Sequence, residues 1–250
     1  MALKSTNPMF NKFDHSGSNE YAVEYKTATI LGISIKTIIL ILVIFASFGL
    51  FMFLLNTFPT IALVLWVASP ILIILCSIFG YVFPKVSSIF SIIYAASWGI
   101  LLGLITLSLN EAFPGIGYIA SLGTMLIFIV MLLLYTNKKI RVTNTFIKIF
   151  ASFGITIFIT WIAVFIIGLI SPSFMEQLSS SWPLMLLVSV VLLAYGALCL
   201  VMDFNRAYLI VSSNAPKHYE WVAAFGLLVS LIWIYIQLLR LLALILGRRK

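Results

Sequence analysis

Charged residues are scarce in this chain: they make up 9% of its 250 residues, whereas 63% are hydrophobic. In an ordinary soluble domain about a quarter of the residues are charged, and they cover its surface. This sequence has too few charges to shield an apolar core from water. A soluble fold is therefore excluded, and the lipid bilayer is the predicted solvent.

Cysteine and histidine are also rare, and their positions exclude common metal and hydrolase sites. Cys76 and Cys199 each lie inside a long apolar run, so neither a disulfide framework nor a metal knuckle is predicted. His15 and His218 are far apart in the sequence, whereas a zinc-protease helix needs two histidines one turn apart. A phosphate-binding loop ending in Gly-Lys-Ser/Thr is absent as well. We therefore predict no enzymatic activity and no cofactor.

Long apolar runs dominate instead, each of a length that can cross about 30 Å of hydrocarbon at 1.5 Å per residue. A polar N-terminal segment, residues 1–36, precedes them, and residues 37–250 are predicted to form an all-α polytopic membrane protein. The last run is interrupted by Arg240. Because seven full crossings place the basic residues 248–250 outside, this run either crosses fully, enters and returns, or lies centrally in the bundle. The seven predicted transmembrane helices are residues 37–55, 60–83, 88–109, 115–135, 149–170, 183–202 and 221–246.

Positive charge in the connections predicts the orientation of the bundle, because cytoplasmic loops are enriched in lysine and arginine. The charged residues of the opposite loops are Glu111 and Glu176, and these loops have no lysine or arginine. The N-terminus is therefore predicted to be cytoplasmic, although seven full crossings then place residues 248–250 outside. The net charge of +8 indicates membrane topology and anionic headgroups, and not nucleic acid. The loop cations are Lys85, then Lys138, Lys139, Arg141 and Lys148, then Arg206 and Lys217.

Two acidic residues, Asp203 and Glu220, are predicted to lie at helix ends near the cytoplasmic face. An ionisable group at the hydrocarbon boundary normally pairs, titrates or lines a wet cavity. Asp203 precedes Arg206 by three residues, which favours either a local ion pair or a proton- or cation-responsive carboxylate. Glu220 opens the last run, where the helix dipole favours a carboxylate on structural grounds as well. Both side chains are close enough in sequence to reach the same rim of the bundle.

Small residues recur in the third predicted helix at intervals of four positions. Ala95, Gly99 and Gly103 form this stripe. Such spacing is typical of a close approach between two membrane helices. We interpret the stripe as a packing feature.

The segments Leu200–Phe204, Ala215–Trp221, Ala224–Val229 and Leu239–Leu242 form a series of motifs at the end of the chain, and Asn7-Pro8 and the turn Phe113–Ile116 precede them. Together these motifs resemble those of the bacterial Bax inhibitor-1-like family. The resemblance implies seven membrane helices with the last one packed centrally, in the bacterial inner or plasma membrane. In the better-known branch it implies a pH-sensitive calcium leak, opened and closed by an aspartate at the end of the sixth helix and another within the seventh.

This sequence matches the family's aspartate pair at one of two positions. Asp203 corresponds to the first aspartate, whereas Ser230 stands in the stretch where the second is expected. Trp98 and Gln237 also stand where glutamates are common in that branch. Glu220 is therefore an alternative partner for Asp203.

Our leading hypothesis is an ion-homeostasis protein embedded in the bilayer. In it, Asp203, with Glu220 or Arg206, forms a titratable latch at the cytoplasmic mouth. Calcium or protons are the expected cations, because calcium prefers hard oxygen ligands. The alternative is a non-conducting membrane protein that binds and regulates partners. Neither hypothesis specifies an oligomeric state.

Overall fold

The computed structural model describes residues 27–137 and 142–248, apart from the side chains of Pro172 and Ser179. The predictions for residues 1–26, for Lys138, Lys139 and Arg141, and for Arg249 and Lys250 lie outside this description. The described residues form eight helices: α1 Ile30–Thr57, α2 Pro59–Val82, α3 Ser87–Ala112, α4 Ile116–Thr136, α5 Asn144–Ile170, α6 Pro172–Ser180, α7 Trp182–Ser212 and α8 Tyr219–Gly247.

Seven of these helices, all except α6, are long and apolar enough to cross a membrane. The prediction of an all-α polytopic membrane protein is confirmed. The short helix α6, between α5 and α7, was not predicted. It begins at Pro172, and proline is a favoured residue at the first position of a helix.

Two helices extend well beyond their predicted boundaries. Helix α1 begins at Ile30, where the Thr29 hydroxyl accepts a hydrogen bond from the Gly32 amide at 3.0 Å. Helix α7 continues to Ser212, because backbone hydrogen bonding does not stop where apolar composition does. Asp203 and Arg206 therefore lie inside α7. The prediction that Asp203 ends the sixth span, with Arg206 in the next loop, is wrong.

The connectivity gives the bundle two distinct ends. Helices α1, α3, α5 and α8 begin at one of them, which we call the basic end because Lys36, Lys85 and Lys217 lie there. Glu111 and Glu176 lie at the opposite end. The assignment of the basic end to the cytoplasm stays a prediction.

Helix α8 forms the centre of the bundle. It packs against α1, α2, α3, α4 and α7. In its most apolar stretch 67% of the residues are buried, whereas this share is at most 33% in the other six spans. Phe225, Leu228 and Ile234 are fully buried there. The expected central position of the last helix is confirmed.

Helix α8 also runs the whole length of the bundle without a break. At the basic end, the backbone and hydroxyl of Thr29 bind its residue Glu220. At the opposite end, the indole N–H of Trp182 donates to the carbonyl of Leu244 at 2.9 Å. The last segment is a single continuous helix through Arg240, so the alternative that it enters and returns is wrong.

The small-residue stripe of α3 brings this helix against α1. Gly99 lies directly against Ser47 and the carbonyl oxygen of Ile44, and Gly103 lies against the ring of Phe51. Ala95 and both glycines are buried. The packing interpretation of the stripe is confirmed.

Helix α5 is peripheral, since none of its described residues is buried. Its contact with α7 includes Phe150, whose ring stacks on that of Tyr195 with 4.8 Å between centroids, and Phe153, whose ring lies 5.7 Å from the same ring. Tyr195 also lies close to Gly154. Large apolar side chains on the rest of α5 face outward, with Trp161 71% exposed.

Candidate functional site

Asp203 lies inside the bundle at the contact between α7 and α8, nine residues before α7 ends. Its side chain is 9% exposed. The Ser230 hydroxyl, from the central helix, donates a hydrogen bond to the Asp203 Oδ2 atom. At 1.5 Å per residue the carboxylate is about 13 Å from the end of α7, below the rim of the bundle.

A glycine on α8 makes room for this carboxylate. Gly226 precedes Ser230 by one helical turn, and a Cβ atom at Gly226 would lie 3.2 Å from Asp203 Oδ1. The same Cβ would lie 3.5 Å from the hydroxyl oxygen of Tyr81, at the end of α2. The Tyr81 ring packs against Phe225 with 5.0 Å between centroids. Side chains from α2, α7 and α8 therefore meet at Asp203.

The predicted ion pair between Asp203 and Arg206 is not formed. Arg206 is exposed, and it acts on the Asp203 carboxylate only through longer-range electrostatic interaction, whereas its guanidinium lies close enough to the Tyr81 hydroxyl to interact with it directly. The physical reason is the direction of the two side chains: Asp203 is held inward by Ser230, whereas Arg206 reaches the surface at the basic end.

Glu220 occupies a separate, buried site at the basic end, where its side chain is 1% exposed. Its Oε1 atom accepts hydrogen bonds from the backbone N–H and the hydroxyl of Thr29, at 2.9 and 3.2 Å. Its Oε2 atom forms an ion pair with the Lys36 ammonium at 2.6 Å. A side chain at Gly32 would collide with this carboxylate. Glu220 thus joins α8 to the first turn of α1.

The backbone around this ion pair is joined as well. The amide of Ala28 donates to the carbonyl of Ala215 at 2.8 Å, and Thr27 and Pro216 form an isolated antiparallel bridge. The Lys36 ammonium also lies 5.2 Å from the ring centroid of Trp221. We call the set of contacts between residues 27–36 and residues 215–221 the terminal clamp.

The structure does not bring Asp203 and Glu220 together. Glu220 stands in the first turn of α8, whereas the Ser230 that binds Asp203 is ten residues further along the same helix, about 15 Å deeper. Each carboxylate has its own partners. The hypothesis that Glu220 completes a latch with Asp203 is wrong on this geometry, because Lys36 neutralises Glu220 at the rim.

The sequence model of a family described as Bax inhibitor 1 like matches residues 7–247, nearly the whole chain. The chain belongs to the Bax inhibitor 1 like family. No curated protein and no solved structure gave a match. Membership in this family of membrane proteins supports a general role in membrane ion homeostasis.

At two further positions this Bax inhibitor 1 like protein departs from the expected glutamates: Gln237 is buried, and Trp98 is partly buried. The Gln237 Oε1 atom and the Trp98 indole N–H have no hydrogen-bond partner of ordinary geometry within the described part of the chain. Trp98 packs edge-on against Tyr94, with 6.3 Å between ring centroids. Gln237 lies two helical turns beyond Ser230, so α8 carries buried polar side chains at successive depths.

Sequence reasoning found Asp203 but missed most of its surroundings in this Bax inhibitor 1 like chain. In the sequence, Ser230 was noted only as the residue in place of an expected aspartate. A lone serine in an apolar run was the available signal that its hydroxyl binds a partner. Gly226 and Tyr81 had no local signal, because their roles come from helix packing. Among residues 27–137 and 142–248, no group of three or more histidine, cysteine or carboxylate side chains is placed to hold a metal ion.

Proposed function

We propose that this protein is a membrane ion-homeostasis protein in which Asp203 and Ser230 form a proton-responsive latch on a cation leak. Calcium is the proposed conducted ion. The observation that carries the proposal is a carboxylate held inside an apolar bundle by a hydroxyl of the central helix. Glu220 is assigned a structural role in the terminal clamp, and Arg206 modulates the latch from the surface.

The physical basis of the latch is the difference between the two protonation states of Asp203. An ionised carboxylate accepts a charge-assisted hydrogen bond from Ser230, which is stronger than the bond between neutral groups. Protonation of Asp203 weakens this bond and loosens the contact between α7 and α8. Because α8 packs against five helices, a shift of α8 changes the packing of much of the bundle.

Flux measurements test the latch directly. The protein is reconstituted into liposomes that contain a calcium-sensitive dye, and calcium entry is followed between pH 5 and 8. We expect wild-type flux to rise as pH falls, because protonation weakens the latch. Asp203→Asn, which is always neutral, is expected to lose this pH dependence and to keep a flux near the acidic level of the wild type.

Serine substitutions supply a matched pair of controls. Ser230→Ala removes the latch donor and is expected to raise flux at neutral pH severalfold. Ser189 is also buried, on α7, but its hydroxyl donates to the Met185 carbonyl of its own helix, so Ser189→Ala is expected to behave as wild type. Absence of flux at every pH would contradict the leak, and an unchanged pH profile in Asp203→Asn would contradict the latch.

A second candidate function, a non-conducting partner protein, is favoured by helix α5. This helix buries none of its described residues in the bundle and presents Phe158 and Trp161, 66% and 71% exposed. A photo-crosslinking residue at Phe158 in native membranes is expected to give a discrete protein adduct if α5 binds a partner. The matched control is Leu122 on α4, which is 70% exposed. Adducts of equal yield at both positions would indicate random collisions and contradict this function.

A further inference from the structure

Arg240 lines an apolar groove in the half of the bundle away from the basic end. The groove has a volume of about 380 Å³ and opens between α3 and α8. Ile105 and Leu109 form its wall on α3, and Ile236 and Leu239 form its wall on α8. The latch and the terminal clamp do not include any of these residues. The groove therefore combines an apolar wall with one guanidinium group.

The guanidinium of Arg240 lacks a counter-charge within the described part of the chain. Its hydrogen-bond contact is with the Met185 sulfur at 3.5 Å, and a thioether is a weak acceptor. No carboxylate of a described residue lies within 4 Å of it. Cationic side chains at membrane depth normally pair or reach the headgroup region. Arg240 is partly buried, so an anion that reaches this position would supply the counter-charge that the described residues do not provide.

The depth of Arg240 indicates which anions can reach it. Arg240 is seven residues, about 10 Å, from the last residue of α8. The 29-residue helix is about 43 Å long, so each end projects several ångströms beyond about 30 Å of hydrocarbon. Arg240 is thus just inside the hydrocarbon boundary, where an extended arginine side chain meets lipid phosphates.

A second groove adjoins the first and adds another cation. It has a volume of about 490 Å³ and shares Ala243 and Leu244 with the Arg240 groove. Arg248 lines it, and its guanidinium lies 4.3 Å over the ring of Trp182. The two grooves are continuous. Together they lead from the apolar wall, past Arg240, to Arg248 and the ring of Trp182 at the helix end.

We propose that these joined grooves bind an anionic phospholipid. The phosphate accepts hydrogen bonds from Arg240, an acyl chain lies against Ile105 and Leu109, and the headgroup extends toward Arg248 and Trp182. Arginine suits this role because its planar guanidinium can donate two parallel hydrogen bonds to phosphate oxygens. The proposal does not depend on the latch at Asp203.

Native mass spectrometry of the full-length protein tests the lipid site. The purified protein is equilibrated in mixed micelles with phosphatidylglycerol or with phosphatidylcholine of the same acyl chains. We expect at least fivefold more bound phosphatidylglycerol, and at least a fivefold loss of it in Arg240→Gln. Lys85→Gln, which removes an exposed cation at the basic end, is expected to bind as much as the wild type.

Two further measurements separate a lipid from a bare phosphate and guard against misfolding. Leu109→Trp keeps both arginines but fills the apolar groove, so it is expected to lower phosphatidylglycerol binding by a similar factor. Glycerol phosphate in millimolar excess is expected not to displace the lipid. Equal binding of the two lipids, undiminished binding in both Arg240→Gln and Leu109→Trp, or displacement by glycerol phosphate would each overturn the proposal.

Discussion

Replacing Gly99 with alanine should destabilise the folded bundle by about 2–3 kcal/mol. The added methyl group would overlap Ser47 Oγ and the carbonyl oxygen of Ile44 on the neighbouring helix α1. A side chain could rotate away, but the Ile44 carbonyl belongs to helical backbone, so α1 and α3 must separate. The free energy of unfolding can be measured by titration with a denaturing detergent in mixed micelles.

Gly49 provides the matched control for this substitution. It lies on α1, and a Cβ atom there would meet nothing within 4 Å. Gly49→Ala should therefore leave the free energy of unfolding unchanged or raise it by up to about 1 kcal/mol, because alanine is the better helix former. If both variants unfolded at the same detergent fraction, the close approach of α1 and α3 at Gly99 would be refuted.

Neutralising Glu220 should cost about 3 kcal/mol of stability, because it leaves the Lys36 charge without its partner in a largely buried position. Lys36 is 13% exposed, so part of its charge can still reach water, which keeps the expected loss near the lower end for buried pairs. Glu220→Gln retains the shape of the side chain, so the loss reports the charge. Thermal or detergent unfolding measures it.

A double-mutant cycle isolates the ion pair. Lys36→Met removes the cation that Glu220→Gln leaves unpaired, so the double variant should lose clearly less stability than the sum of the two single variants. Glu111→Gln, at an exposed helix end, should change stability by less than about 0.5 kcal/mol. Additive losses would mean that the Lys36–Glu220 pair contributes nothing specific to the terminal clamp.

The number and order of the membrane helices could be predicted from the sequence because the bilayer imposes a strong length requirement on apolar runs. The ends of these helices could not. Hydropathy falls at Asp203, yet α7 continues to Ser212, since a helix of backbone hydrogen bonds tolerates polar side chains that find partners. For the same reason, the start of α1 at Ile30 was not predicted: the helix begins seven residues before the first long apolar run.

The candidate site was predictable only in part. Asp203 was identified from composition, because an aspartate next to a long apolar run is rare and normally has a partner. The identity of that partner depends on the rotation of α7 against α8, which local sequence does not encode. This rotation places Ser230 and Gly226 beside Asp203. Glu220 is not part of the site, because it forms an ion pair with Lys36 at the basic end. Pairing between distant segments is the information that a single sequence lacks.

The terminal clamp joins two segments that are synthesised at widely separated times during translation. Lys36 and Glu220 are 184 positions apart, so at 5–20 residues per second α1 waits roughly 10–40 s for its carboxylate. Until α8 emerges, the central position among α1, α2, α3, α4 and α7 is also unfilled. The central helix α8 is therefore the last to be added to the bundle. A nascent chain arrested before α8 would expose its interior surfaces to lipid and to quality-control proteases.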